Sequence, residues 1–147
     1  MTLKPAYEIE GISVAFIIPA AMGDAIIAKK VFEALVTIEK NCKIDLVCAN
    51  ERAVQNAQAF YSDSANFNCF IDVEFFNQNV KQYDLALNAD GHMVRIIFAN
   101  VDRLQNLSQE LFWSICKIDA YNKKYMYSKD FSGRVLFNVA RARILKT

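Results

Sequence analysis

The sequence predicts an α/β domain built on a mostly parallel sheet, and three successive segments near its start carry that prediction. Residues 12–18 form an apolar run of β-branched and aromatic residues, which is typical of a strand buried on both faces. An amphipathic helical pattern follows up to about Lys40, and a second strand is predicted at residues 43–49. The short connections between these segments indicate a strand–helix–strand unit with parallel strands.

The first strand is expected to be the central strand of the sheet, with residues 1–11 as a lead-in before it. Pro19 and Gly23 break the strand, and Asp24 stands at the N-cap or in the first turn of the helix that follows. The apolar residues of this helix recur at helical spacing: Ile27, Val31, Ala34 or Leu35, and Ile38.

The next segments continue the alternation of helices and strands. Asn50 is expected to cap a helix that runs through about Tyr61, and the polar residues 62–68 are expected to form a loop. Two further strands are predicted at residues 70–73 and 83–88.

After Asn88 the pattern becomes helical, and three helices are predicted: 93–104, 108–119 and 131–145. No internal repeat or linker divides the chain. We therefore expect a single domain over residues 1–147, with βα units in residues 12–90 and a mainly helical remainder in residues 91–147.

The composition indicates a folded domain without a polyanionic partner. Hydrophobic residues make up 54% of the 147 residues, which is enough to build a core. Lys and Arg number 17 against 16 for Asp and Glu, so no excess of positive charge indicates nucleic-acid binding. No apolar run approaches the roughly 20 residues that span a bilayer, so we expect no transmembrane segment.

The cysteines do not form a metal-binding or disulfide pattern. No C-x-x-C pair occurs, and His92 is the single histidine, so a zinc site is poorly supplied. We expect reduced, mostly buried thiols at the four positions Cys42, Cys48, Cys69 and Cys116. Residues 12–22 are apolar enough for a signal peptide, but acidic residues precede them and Pro19 interrupts them, so a cytoplasmic location is expected.

The loop at residues 19–24 is the segment best suited to bind a ligand. In an open parallel sheet, ligands bind beyond the carboxyl ends of the strands, where this loop must lie. Gly23 allows close backbone approach, and the free N–H groups of a helix start favour an anionic or hydroxyl-rich ligand. The segment after the strand at residues 83–88 should lie at the same edge. The candidate substrate-binding residues are therefore Met22, Gly23, Asp90, Gly91 and His92.

Nucleotide-binding loops of the common kinds are absent from the sequence. No G-x-G-x-x-G follows the first strand, and no G-x-x-x-x-G-K-[ST] occurs anywhere in the chain. We therefore expect this chain itself to bind no cofactor.

Two segments resemble glycosyltransferase family 9, the lipopolysaccharide heptosyltransferase family. Residues 14–28, Val-Ala-Phe-Ile-Ile-Pro-Ala-Ala-Met-Gly-Asp-Ala-Ile-Ile-Ala, are similar to its opening, which has an apolar strand, a short loop ending in Gly-Asp and an apolar helix. Residues 83–91, Tyr-Asp-Leu-Ala-Leu-Asn-Ala-Asp-Gly, are similar to a later strand that leads into a polar, acceptor-facing turn. The two segments lie within about the first two-thirds of the chain.

The resemblance implies a fold and a mechanism. Family members have two Rossmann-like three-layer domains, of which the first binds the saccharide acceptor and the second binds the nucleotide-sugar donor, as in B-type glycosyltransferases. Transfer proceeds with inversion and without an obligatory metal. Asp24 corresponds to the aspartate that the family uses as the proposed general base.

The chain departs from the family because it holds one such domain, where the family has two. We expect a fragment of a longer enzyme or a truncated relative, with the nucleotide-sugar donor on a missing second domain and no transfer by this chain alone. The expected partners are a lipopolysaccharide-type acceptor and either a second glycosyltransferase domain or another copy of the chain. The expected location is the cytoplasm or the periphery of the inner membrane. The alternative is a non-catalytic Rossmann-like binding or protein-interaction module.

Overall fold

The structure is a computed structural model that describes residues 4–90, 95–100, 102 and 103. Its strands and α-helices are, in chain order, β1 Ile12–Ile17, α1 Met22–Ile38, β2 Cys42–Val47, α2 Glu51–Phe60, β3 Phe67–Ile71, α3 Val73–Asn79, β4 Leu85–Asn88 and β5 Arg95–Ala99. Short 3-10 helices lie at Ala6–Glu8 and Val80–Gln82.

The five strands form one sheet in the order β3-β2-β1-β4-β5. β1 pairs in parallel with β2 and with β4, and β2 pairs in parallel with β3. β5 pairs with β4 in the antiparallel direction. The sheet is therefore mostly parallel with β1 at its centre, and helices flank it. This confirms the predicted α/β, Rossmann-like fold class.

Both faces of β1 are covered, because alternate residues of a strand point to opposite sides of the sheet. Val14 and Phe16 belong to the larger core, together with buried residues of α1 and α2 such as Val31. Ala15 belongs to a second cluster, which includes Phe76 of α3. This burial on both sides explains why the sequence of β1 is continuously apolar.

Three aromatic rings hold α1 and α2 against β1. The ring centroid of Phe16 lies 5.6 Å from that of Phe32 and 5.7 Å from that of Tyr61. The Phe32 and Tyr61 rings meet edge to face at 5.0 Å. Pairs at these distances add attraction beyond the area they bury, so this trio helps to hold α1 and the end of α2 against β1.

The predicted elements from β1 to α2 are confirmed. Asn50 is the N-cap residue of α2, and its side-chain oxygen accepts a hydrogen bond from the Ala53 N–H at 2.9 Å. Of the later strands, β4 begins two residues after the predicted start at 83. β3 begins at Phe67, three residues before the predicted strand at 70–73.

Two segments differ from the prediction. The predicted helix at 93–104 is wrong, because its described part holds the antiparallel strand β5. The residues Arg-Ile-Ile-Phe-Ala favour a strand, and pairing with β4 supplies their backbone partners. Helix α3 was not predicted; Asp72 caps it by accepting from the Phe75 N–H at 2.7 Å. The helices predicted at 108–119 and 131–145 lie outside the described residues.

The lead-in before β1 is part of the packed structure. Ala6 is fully buried, and its N–H donates to Oδ2 of Asp45 at 2.8 Å. Asp45 is itself fully buried on β2, and it also accepts from the Tyr83 hydroxyl at 2.6 Å, the Asn68 amide at 2.8 Å and the Cys69 thiol at 3.2 Å. Four donors therefore compensate the burial of one carboxylate.

A second buried carboxylate joins the starts of β1 and β4. Oδ2 of Asp84 accepts from the Ser13 N–H at 2.9 Å, and Oδ1 lies 2.6 Å from Nε of Arg103. The Arg103 guanidinium also donates to the Gly11 carbonyl at 3.3 Å. These contacts close the amino edge of the sheet.

We expect substitution of Gly11 to be costly and substitution of Gly23 to be tolerated. Gly11 has φ +108°, and a Cβ there would lie 2.4 Å from the Asn41 carbonyl oxygen, whereas a Cβ at Gly23 meets nothing within 4 Å. Gly11→Ala should lower the free energy of unfolding by about 2–3 kcal/mol. Gly23→Ala should leave it unchanged or raise it by up to about 1 kcal/mol. Urea unfolding followed by circular dichroism measures both, and equal midpoints for the two variants would contradict this account.

Replacing Asp45 should lower the free energy of unfolding substantially. Asp45→Asn turns one acceptor oxygen into a donor that faces other donors, so we expect a loss of about 2–4 kcal/mol. Asp63→Asn is the matched control because Asp63 is exposed, and its effect should stay within about 0.5 kcal/mol. Chemical denaturation of the two variants compares them directly. A midpoint for Asp45→Asn equal to that of Asp63→Asn would show that the buried carboxylate is dispensable.

Candidate functional site

The loop between β1 and α1 lies beyond the carboxyl end of the central strand. The chain leaves the sheet after Ile17, and α1 begins at Met22 with Ala21 as its N-cap residue. Ala21, Met22 and Gly23 are all exposed, and Met22 retains 59% of its accessible surface. The predicted site residues of this loop therefore face solvent at the edge where open parallel sheets bind ligands.

Asp24 lies in the first turn of α1, which is one of the two positions that the sequence predicted. The alternative, Asp24 as the N-cap residue, is wrong, because the N-cap residue is Ala21, which makes no side-chain capping bond. Asp24 is partly exposed. A negative charge in the first turn interacts favourably with the helix N-terminus, so this position suits an acidic side chain that stays in reach of a ligand.

The backbone conformation at Gly23 does not require glycine. Among the described glycines, only Gly11 has a positive φ, and Gly23 lies inside the first helical turn. The surroundings of a Cβ at Gly23 are open. Glycine at position 23 therefore leaves free space next to Asp24, and it is not needed to avoid backbone strain.

The end of β4 stands next to the end of β1. Asn88 pairs with Ile17 in the parallel register, and the Ala89 N–H donates to the Ile17 carbonyl at 3.2 Å. Asp90 follows at once; it is exposed, and its N–H donates to Oδ1 of Asn88 at 2.9 Å. Asp90 therefore lies at the same sheet edge as the loop that carries Asp24. Gly91 and His92 lie outside the described residues.

The two strands on the other side of β1, β2 and β3, are each followed by the N-cap residue of a helix. β2 leads to Asn50, which caps α2, and β3 leads to Asp72, which caps α3. The side chains of both residues are engaged with backbone N–H groups. The predicted site residues that the structure describes are therefore gathered after the two central strands, β1 and β4.

Two side chains that the sequence did not single out contact the backbone around this loop: Asn56 of α2 and Tyr61, which directly follows α2. The amide nitrogen of Asn56 donates to the carbonyl oxygens of Pro19 at 2.9 Å and Ala20 at 3.0 Å. The Tyr61 hydroxyl donates to the Ala25 carbonyl at 2.5 Å. The sequence offered one signal for Asn56: it is a polar residue on the same helix face as Ala53 and Ala57, and this face is buried in the structure.

The buried thiols are poorly suited to act as nucleophiles. Cys42, Cys48 and Cys69 are free and buried. Burial raises the pKa of Cys42 and Cys69 to about 12 and the pKa of Cys48 to about 11. Because the thiolate is the reactive form, these side chains contribute to the core rather than to chemistry at the sheet edge. Cys116 lies outside the described residues.

The part of the chain that the structure describes holds neither a metal-binding cluster nor a membrane-spanning helix. No group of three or more His, Cys, Asp or Glu side chains is arranged there to hold a metal ion. None of the helices there is both long enough and apolar enough to cross a membrane.

Comparisons of the chain with protein-family models, with curated proteins and with solved structures found no match.

Proposed function

We propose that this chain is the acceptor-binding half of an inverting glycosyltransferase that acts on a lipopolysaccharide-type saccharide. The observation that carries the proposal is the position of Asp24, in the first helical turn after the central parallel strand and partly exposed. The resemblance of residues 14–28 and 83–91 to glycosyltransferase family 9 supports the choice of reaction. The strands within these two segments, β1 and β4, are parallel neighbours, so their carboxyl ends lie at the same edge of the sheet.

The geometry of the loop supports a hydroxyl-rich ligand. The first N–H groups of an α-helix have no partners within the helix, and no side-chain cap from Ala21 covers those of α1. Donors from the helix start and acceptors from Asp24 and Asp90 together match the mixed hydrogen-bonding capacity of sugar hydroxyls. The open space at Gly23 lets a sugar ring approach the backbone.

The proposed chemistry is an in-line displacement at the anomeric carbon of the donor sugar. The acceptor hydroxyl oxygen forms the new bond to that carbon, while the bond from the carbon to the nucleotide phosphate breaks. The hydroxyl proton passes to the Asp24 carboxylate, and the nucleotide leaves with the bonding electron pair. Because the helix N-terminus stabilises negative charge on Asp24, this side chain orients the hydroxyl and receives its proton late.

Transfer also requires a donor site, which we place on a second Rossmann-like domain outside this chain. A nucleotide-sugar domain would face the carboxyl edge, where the acceptor hydroxyl is held. The lipid portion of such an acceptor would bring the protein to the cytoplasmic side of the inner membrane. This arrangement predicts acceptor binding without transfer by the chain alone.

A non-catalytic interaction module is the second candidate function, and one observation favours it. Met22 and Ile26 are spaced by one helical turn on α1, and they keep 59% and 50% of their surface exposed. An exposed apolar pair beside the loop is also the kind of surface that contacts another protein.

Titration with inner-core oligosaccharides that contain Kdo or phosphorylated heptose tests the first proposal. We expect Asp24→Ala to weaken binding at least tenfold relative to the parent chain, because it removes a charged hydrogen-bond acceptor. Asp63→Ala is the matched control, since Asp63 is exposed in the loop at the opposite edge, and it should bind like the parent. Isothermal titration calorimetry measures all three proteins.

Equal binding by Asp24→Ala and the parent would remove Asp24 from the site. If the parent binds none of the oligosaccharides, the enzyme proposal loses its support. Stable self-association in sedimentation experiments would then favour the interaction module.

A further inference from the structure

The exposed part of the β1–α1 loop is held at both ends by side chains of one neighbouring segment. Asn56 of α2 donates to two successive carbonyls, those of Pro19 and Ala20, before the exposed residues. Tyr61, which directly follows α2, donates to the Ala25 carbonyl after them. Between these anchors lie the exposed residues Ala21, Met22 and Gly23 and the partly exposed Asp24.

The Asn56 amide supplies hydrogen-bond donors that the backbone carbonyls of Pro19 and Ala20 need. Pro19 and Ala20 follow the end of β1, so strand pairing does not provide for their carbonyls, and buried carbonyls need hydrogen-bond donors. A side-chain amide carries two N–H groups on one nitrogen. The Asn56 side chain is only 7% exposed, so it has little freedom to leave these carbonyls for water.

Both anchors are themselves held rigidly. Ala53 and Ala57, which lie on either side of Asn56 in α2, are fully buried in the larger core. The Tyr61 ring packs against both the Phe16 and the Phe32 rings, at centroid distances of 5.7 Å and 5.0 Å. The loop is therefore held in place by side chains that are themselves packed in the core.

We propose that Asn56 is a positioning residue, which together with Tyr61 holds the Gly23–Asp24 turn in its ligand-binding conformation. Asn56 would touch no ligand; it acts through the loop. A loop that is ordered before binding loses less conformational entropy when the ligand arrives. The ligand part of this inference depends on the proposed acceptor-binding function, whereas the ordering of the loop does not.

The first experiment compares Asn56→Ala with Asn66→Ala. Asn66 is a matched control because its amide also donates to two carbonyls, those of Lys40 at 3.1 Å and Cys42 at 2.9 Å, at the amino edge of the sheet. Each variant thus removes the same kind of paired contact, at opposite edges. Any general loss of stability is common to both, and any loss of loop order is particular to Asn56→Ala.

Amide hydrogen exchange gives a readout that needs no ligand. The Ala25 N–H donates to the Ala21 carbonyl at 3.0 Å, so its exchange reports opening of the first turn of α1. The Cys48 N–H, bonded to the Ile71 carbonyl at 3.0 Å, serves as the reference within the sheet. We expect exchange at Ala25, relative to Cys48, to be at least tenfold faster in Asn56→Ala than in Asn66→Ala. Equal ratios in the two variants would overturn the inference.

Binding of a Kdo-containing inner-core oligosaccharide provides the second readout. Asn56→Ala should weaken it at least fivefold and Asn66→Ala should not; faster exchange with unchanged affinity would overturn the positioning role. If Asp24→Ala leaves binding intact, that result counts against the proposed function and not against the loop anchor.

A milder pair of variants keeps the test valid if Asn56→Ala fails to fold. Tyr61→Phe removes only the hydroxyl that reaches Ala25 and keeps the ring among its aromatic neighbours. Tyr83→Phe removes a hydroxyl that bonds Asp45 on the other face of the sheet. Exchange at Ala25 should accelerate in Tyr61→Phe alone, and equal acceleration in both variants would contradict a local anchor.

Discussion

The parallel pairing of β1 with a neighbour on each side is the constraint on which the rest of the structure depends. Its residues are in register with β2 on one side and with β4 on the other, and its side chains are covered on both faces. A strand fixed in this way cannot shift without breaking two ladders and two cores. Its carboxyl end is therefore the best-defined point from which a loop can leave the sheet.

The two edges of the sheet are put to different uses. At the amino edge, Asp84, Ser13 and Arg103 form a closed set of contacts that joins the starts of β1 and β4. At the carboxyl edge the same two strands end in exposed acidic and small residues. The contacts that join the strands and the exposed polar groups are thus separated by the length of a strand. This separation allows the carboxyl edge to carry polar groups that are not needed to hold the strands together.

Local signals in the sequence were sufficient for the first half of the fold. The apolar run of β1, the amphipathic pattern of α1 and the Asn50 cap each reflect contacts within a few residues. β5 was missed because its strand conformation depends on pairing with β4, and its residues carry no alternation that distinguishes a strand from a helix. α3 was missed because a helix of seven residues has too few turns to show a period, although Asp72 marked its start.

The candidate site shows the same contrast between residues that the sequence could place and residues that depend on long-range contacts. Asp24 and Asp90 could be placed at one edge from topology alone, because parallel strands bring their carboxyl ends together. Asn56 could not, since its contacts with Pro19 and Ala20 join residues 36 and 37 positions apart. A side chain that acts across such a distance carries no pattern in its own neighbourhood. The contact of Tyr61 with Ala25 could not be predicted either, because the sequence placed Tyr61 only at the end of a helix.

The buried carboxylate of Asp45 also determines where the folding unit begins. The first strand starts at Ile12, yet the Ala6 N–H, the Tyr7 ring against Tyr83 and the Lys4 carbonyl that accepts from Asn68 all belong to the same packed face. A domain boundary placed at Ile12 would remove the Ala6 N–H, which is one of the hydrogen-bond donors to the fully buried Asp45 carboxylate. The irregular residues from Lys4 onward are therefore as much a part of the fold as the strand that they precede.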